Sequence, residues 1–186
     1  MLNIDMRILM DTNLMHLSLT RLGYELIENY NDFSDVAIIG VQPRGAIFAK
    51  KLHQKIEEIT DCKIRFGKID PTFHRDDFRR GDDILKANST EIDFYVENLK
   101  IIMVDDVLFT GRTIRAAMDA LMSFGRPEKV ELLTLIDRRF NRELPIQADY
   151  LGLSVDTIEQ VKVKVEWEGE GDGAVDRVWI LKEMEK

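Results

Sequence analysis

Residues 101–116, IIMVDDVLFTGRTIRA, constrain this chain most: an unbroken apolar run passes into two acids, a glycine-containing turn and a helical pattern. Ile101, Ile102, Met103 and Val104 form the continuous apolar run that a strand covered on both faces of a parallel sheet requires. Asp105 and Asp106 follow where the strand is expected to end, and Thr110, Gly111, Arg112 and Thr113 precede a helix starting near Ile114. A turn with glycine in it lets several backbone N–H groups point one way. The helix behind it adds unpaired amides and the positive end of its dipole. Thr110 and Thr113 contribute hydroxyl donors, and Arg112 can contribute charge. Such a pocket suits a phosphate monoester. The two aspartates are acceptors only, so they suit sugar hydroxyls or the water shell of a magnesium ion. Donors for a phosphate beside acceptors for hydroxyls describe a cradle for a ribose 5-phosphate. The plain alternative is an ordinary strand–turn–helix unit with Thr113 as helix N-cap. A Walker A loop is excluded, because no Gly-Lys-Ser/Thr follows.

Elsewhere the chain sets limits on this reading. At 186 residues it is expected to form one domain with a sizeable core, and 45% hydrophobic with 32% charged residues fits a soluble globular protein. Its apolar runs are too short to cross a bilayer, and Asp5, Arg7 and Asp11 interrupt any signal-peptide core, so no membrane association and a cytoplasmic location are expected. The single cysteine, Cys62, excludes an internal disulfide and a cysteine zinc cluster, and suits a small packed side chain better than a nucleophile. A net charge of −8 argues against binding polyanions with the whole surface but allows a local basic patch. Part of the acidic excess lies near the C-terminus, at Glu166, Glu168, Glu170, Asp172 and Asp176.

Taken in order, the periodicity predicts a helix over 11–30, capped by Asp11 or Thr12, with Leu14, Leu17, Ser18, Leu22, Leu26 and Tyr30 on its inner face. VAIIGV at 36–41 reads as a first central strand, followed by Gln42, Pro43, Arg44 and Gly45 and a helix from about 46 to 59. Strand, short glycine loop and helix is the layout of an anion site at the C-terminal edge of a parallel sheet; otherwise Arg44 sits in solvent on a plain turn. A strand over 63–70 leads into a long charged stretch of the kind that often serves as a lid. A short strand over 92–96 feeds the central motif, and a helix over 113–124 buries Ala116, Ala117, Ala120 and Leu121 until Gly125 ends it. A strand over 129–136 and extended pieces at 149–154, 161–165 and 175–181 complete the chain, with Gly169, Gly171 and Gly173 marking an acidic turn.

Val104-Asp105-Asp106-Val107-Leu108-Phe109-Thr110-Gly111-Arg112-Thr113 resembles the 5-phosphoribosyl 1-pyrophosphate (PRPP) signature of type I phosphoribosyltransferases. Its VDDVL(Y/F)TGRT form is similar to that of one branch, the bifunctional pyrimidine operon regulators and uracil phosphoribosyltransferases (the PyrR family), and the resemblance extends over about residues 9–181. The resemblance implies a single α/β domain of the type I phosphoribosyltransferase fold over 1–186. Its central, mainly parallel twisted sheet is flanked by helices, with a small hood from about 137–160 and a flexible β-loop lid at about 70–90. It implies transfer of uracil onto PRPP to give UMP and pyrophosphate with Mg2+ carried by PRPP, a homodimer or larger homo-oligomer, and UMP-sensing binding of pyrimidine-operon leader RNA.

By the same resemblance Asp105, Asp106 and Arg75 are catalytic, Thr110, Gly111, Arg112 and Thr113 hold the 5-phosphate, and Arg44 and Gly45 hold the pyrophosphate. Asp137 and Arg138 shape the base site, and Thr20, Arg21 and Arg142 match positions used on RNA. His74-Arg75-Asp76-Asp77 stands at the lid's YRDD, while Asp82 and Asp83 read as solvated loop. Phe109 stands where purine-specific relatives place an acid near the base, so a purine-directed proton donor is missing. Pro43 replaces a common threonine, and Tyr24, Asn141 and Gln147 replace residues of the RNA surface. Those departures bear more on RNA-dependent attenuation than on catalysis. An RNA-binding regulator with little catalytic role, or a transferase for another base, are the competing readings.

Overall fold

Two apolar runs become the middle of the molecule. In the computed structural model, which describes residues 4–76, 87–156, 161–170 and 175–183, β2 (Val36–Val41) is buried along its whole length and β4 (Lys100–Leu108) along almost all of it. They pair in parallel within a five-stranded sheet of order β3-β2-β4-β5-β6, with β3 (Arg65–Ile69), β5 (Lys129–Arg138) and β6 (Tyr150–Val155) also parallel. Alternate residues serve the two faces, as the period of a strand demands. Ile38, Ile102, Val104 and Leu133 join one core with α1 (Thr12–Asn29) and α2 (Arg44–Thr60), whereas Ala37, Ile39, Ile101 and Met103 join the other with α3 (Arg112–Leu121). Helices therefore cover both faces, and the loops of interest all leave the C-terminal edge.

A separate antiparallel sheet of order β1-β8-β7 is built from β1 (Ile4–Met10), β7 (Val161–Glu166) and β8 (Arg177–Glu183). It is fastened to α2 by Trp167, which stacks on Phe48 at a ring separation of 5.5 Å, and by an ion pair of 3.1 Å between Lys51 and Asp176. The small sheet thus comes from the two chain ends. Residues 150–155, an extended piece within the stretch expected as a hood at about 137–160, form the edge strand of the main sheet.

Other expectations shift by smaller steps. Asp11 caps α1 by accepting from the Leu14 amide at 2.8 Å, as predicted, but the buried face runs through Met15, Ser18, Leu19, Leu22 and Leu26 while Leu14 and Leu17 are exposed. Residues 92–96 form no strand; the neighbourhood makes one isolated bridge, Glu91 to Lys68. β4 and β5 do not stop at Asp105 and Asp137 but run on to Leu108 and Arg138. The cap position of α3 is Gly111, at φ 90°, not Thr113.

Candidate active site

The acids lie where β4 outruns one neighbour. Its pairing with β2 ends at Val104 opposite Gly40, but its pairing with β5 continues to Leu108 opposite Asp137. Asp105 and Asp106 project beside the space where β2 turns, through a cis Gln42–Pro43 peptide, into α2. α2 enters that space at Gly45. A Cβ there would stand 2.7 Å from the Val104 carbonyl oxygen and 2.8 Å from the Asp105 Cα and Oδ1. Only a residue without a side chain lets the helix start press against the strand this closely.

Both carboxyls are nearly closed off from solvent, at 7% and 8% exposure, and Asp105 Oδ1 accepts from the Asp106 amide at 2.9 Å. Burial holds the Asp105 carboxyl well above the usual carboxylate range; the Asp106 charge adds to this and Arg75 pulls it back. Burial likewise raises Asp106, and Arg44 is the strongest opposing influence. The strand places the acids deeper than a strand-end position would. Arg44 at the start of α2 and Arg75 at the entry to the expected lid are in electrostatic reach of them.

The phosphate-loop candidates converge at the start of α3. Gly111 needs its positive φ, and a Cβ on it would also press on Ile146 at 3.3 Å. Thr110 offers its carbonyl to the Glu143 and Leu144 amides at 3.0 and 3.2 Å, which ties the loop to the segment after β5. Thr113 Oγ1 accepts from Arg75 Nη1 at 3.0 Å. Arg112 is the exception. Its Nε donates to Glu143 at 2.6 Å and its Nη1 to the Asp76 carboxylate, so the guanidinium is turned onto two carboxylates of the chain. Arg44 Nε lies 3.7 Å from Glu170 Oε1 on the small sheet's turn. A cleft of about 530 Å3 opens beside this turn, lined by Pro43, Ile47, Lys50, Lys68 and Glu168 among others.

The base-site candidates gather around Phe109. Arg138 lays its guanidinium 4.0 Å from the Phe109 ring centroid. It is buried, burial lowers its pKa, and its Nε finds no hydrogen-bond partner among the described residues. Asp137, also buried, accepts from Arg142, which donates as well to the Phe109 carbonyl.

The RNA candidates are engaged within the chain. Thr20 donates to the His16 carbonyl of its own helix at 2.9 Å. Arg21 donates to the Leu151 and Gly152 carbonyls at 2.7 and 2.8 Å, pinning α1 to the edge strand β6. Tyr24 is exposed, and Arg139 pairs with both oxygens of Asp156.

Sequence reasoning missed several residues that fasten the site. Asp70 accepts from the Thr72 amide at 2.9 Å and from the Asn88 amide, joining the two ends of the expected lid. Gln42 donates its side-chain amide to the Ser89 carbonyl and its backbone amide to Ile69 O at 2.9 Å, joining the lid root to the turn before α2. Asp-Pro-Thr at 70–72 is a recognisable side-chain-capped turn, and that signal was available in the sequence. Residues 77–86, which include Asp77, Asp82 and Asp83, lie outside the described residues. Among the described residues no group of three or more His, Cys, Asp or Glu side chains could hold a metal ion. Asp105 and Asp106 supply hard oxygen donors, so the residues present fit magnesium as an ion carried chiefly by a ligand's own oxygens.

Residues 8–168 match the family described as phosphoribosyl transferase domain. A protein of Caldicellulosiruptor bescii named bifunctional protein PyrR is 45% identical over 157 residues, covering 84% of this chain and 86% of that protein. One of the same name from Enterococcus faecalis is 41% identical, covering 92% and 94%. Among solved structures, the hypoxanthine phosphoribosyltransferase of Trypanosoma cruzi superposes with a TM-score of 0.71 at 14% identity, covering 96% and 97%. A hypoxanthine-guanine phosphoribosyltransferase of Bacillus anthracis gives 0.70 at 16% identity, covering 95% and 99%. At those identities the likeness is one of fold.

Proposed function

The chain belongs to the phosphoribosyl transferase domain family and, within it, to the PyrR proteins; from that premise we propose that it transfers uracil onto PRPP to give UMP and pyrophosphate, and that it also regulates pyrimidine biosynthesis by binding leader RNA. One observation carries the catalytic half. At a single sheet edge, paired carboxyls, a glycine turn opening a helix, and two arginines from separate segments converge.

The chemistry follows from that placement. The bond from ribose C1 to pyrophosphate breaks ahead of the bond from C1 to uracil N1, which gives up its proton. Positive charge builds on the sugar and negative charge on the departing pyrophosphate. The protein's work is positioning and electrostatics. Amides of the 110–113 turn, with the Thr110 and Thr113 hydroxyls, hold the 5-phosphate. Asp105 and Asp106 accept from the ribose hydroxyls, and once ionised they favour a cationic sugar. Arg44 and Arg75 face the pyrophosphate, and Gly45 lets the α2 N-terminus press against β4 beside Asp105. Magnesium bound with PRPP offsets charge on the leaving group. Asp137 and Arg138 bound the base site, where the buried Arg138 Nε is a donor without a partner among the described residues and Phe109 leaves no acid for a purine ring.

A panel of uracil, cytosine, hypoxanthine, guanine and adenine with labelled PRPP tests this reading. Product with uracil alone is expected; product with a purine instead would overturn it. For the regulatory half, filter binding of a pyrimidine-operon leader RNA with and without UMP is the test. Arg21, Arg139 and Arg142 each already engage groups of the chain. Tightening of RNA binding by UMP supports regulation, and no binding at physiological salt contradicts it. Assembly as a homodimer or larger homo-oligomer in the cytoplasm belongs to the same proposal.

A further inference from the structure

The first turn of α3 does more than face a phosphate. We propose that Arg112 and Arg115 form a clasp that holds residues 74–76 and thereby positions Arg75 over the acids, so that Arg112 is a positioning residue and not a ligand of the 5-phosphate. This rests on the reading of the site given above and assigns its arginines finer roles.

Arg112 and Arg115 are three apart on a helix and so share a face. That face meets the segment entering the lid. Arg112 donates to Asp76, Arg115 Nη2 donates to the His74 carbonyl at 2.9 Å, and between them Thr113 accepts from Arg75 at 3.0 Å. Three consecutive residues, 74, 75 and 76, are thus each held by one residue of a single helical turn. Arg115 is itself braced by Asp119 at 2.6 Å, one turn further on. Arg112 is braced by Glu143 at 2.6 Å, on the segment whose amides bond the Thr110 carbonyl. With a carboxylate on its Nε and another on its Nη1, the Arg112 guanidinium faces two negative charges of the chain, which offset the attraction its remaining N–H groups would have for a phosphate. Arg75, held in this way, influences the Asp105 carboxyl.

The test compares two ligands that share a 5-phosphate but differ in pyrophosphate. Binding of PRPP with Mg2+, and of UMP, is measured by calorimetry for the wild type, Asp76→Asn, Arg115→Gln and Arg112→Gln. With Arg75 no longer held, PRPP should weaken about tenfold in each variant, the size of one charge-assisted contact, while UMP stays within about threefold of wild type. Hydrogen exchange at the His74 and Arg75 amides, which bond the Pro71 and Thr72 carbonyls, should quicken in all three variants and reports the clasp whatever ligand binds. Equal weakening of PRPP and UMP in Arg112→Gln would make Arg112 a 5-phosphate ligand and overturn the proposal, as would wild-type PRPP affinity with unchanged exchange. Failure of the wild type to bind either ligand would overturn the reading of the site itself. The exchange result would then still decide whether the clasp exists.

Discussion

Substituting Gly45 by alanine separates the cost to the fold from the cost to the site. An ordinary carbon contact needs about 3.4 Å, and a Cβ at this position finds the Val104 carbonyl oxygen at 2.7 Å, so α2 and β4 must part by about 0.7 Å. The obstructing atoms include backbone and cannot swing aside. Overpacking of this kind costs about 1–3 kcal/mol. Against it, Gly45 lies in a helix without a positive φ, where alanine recovers up to about 1 kcal/mol of propensity. The net loss of stability is therefore about 0–3 kcal/mol, or a fall in Tm of roughly 0–12 °C for a chain this size. The effect on turnover is larger in proportion, because the displaced pieces are Asp105 and the turn carrying Arg44. A misplacement near 1 Å can cost about 100-fold, so kcat/KM for PRPP should fall about 10- to 100-fold, equivalent to about 1.4–2.7 kcal/mol of barrier. UMP formation followed by absorbance, alongside a thermal melt, reads both quantities. A variant with kcat/KM within twofold of wild type would refute the claim that close approach of α2 to Asp105 matters to the reaction.

Three further outcomes are expected. Asp106→Asn should lower turnover about 100-fold or more while the melt shows a folded protein, and unchanged turnover would remove the ribose role from this residue. Asp105 and Asp106 hold protons to higher pH in the folded chain than their usual value of 3.8, so the folded state binds more protons across the window from that value up to the raised ones. Stability should then fall as pH rises through that window, while activity rises as the acids ionise; Asp105→Asn should flatten the stability profile, and a variant profile parallel to wild type would contradict the cause given. Arg21→Ala removes two bonds to β6 carbonyls and should cost about 1 kcal/mol, a Tm drop of roughly 2–4 °C, with little change in uracil kinetics; a large kinetic loss at unchanged Tm would show that its role is not this tie.

The parts of the fold legible in the sequence were those where one local signal sufficed. VAIIGV and IIMV could be read as buried parallel strands because each is an apolar run of strand length that leads into a loop with glycine before a helix, and Asp11 announced α1 by its capping chemistry. The turn before α3 was legible because a glycine flanked by threonines stands between an apolar run and a helical pattern, although the cap position falls on Gly111 and not on Thr113. What the sequence concealed depends on distant partners. β1 pairs with β8 across most of the chain, so its seven residues carry no local mark of a sheet. β4 and β5 extend each other past Val104, and their acids, read locally, looked like strand ends because charge is rarely buried without a functional reason. The ties of Arg112 to Asp76 and Glu143 were hidden for the same reason, because those segments are brought together only by the fold.

The most direct measurement is a crystal structure of the protein with PRPP and Mg2+ bound. The 5-phosphate is expected on the amides and hydroxyls of residues 110–113, with the ribose hydroxyls in hydrogen-bond reach of Asp105 and Asp106. A sugar phosphate seated anywhere else, or aspartates left without a hydroxyl partner, would contradict the central claim.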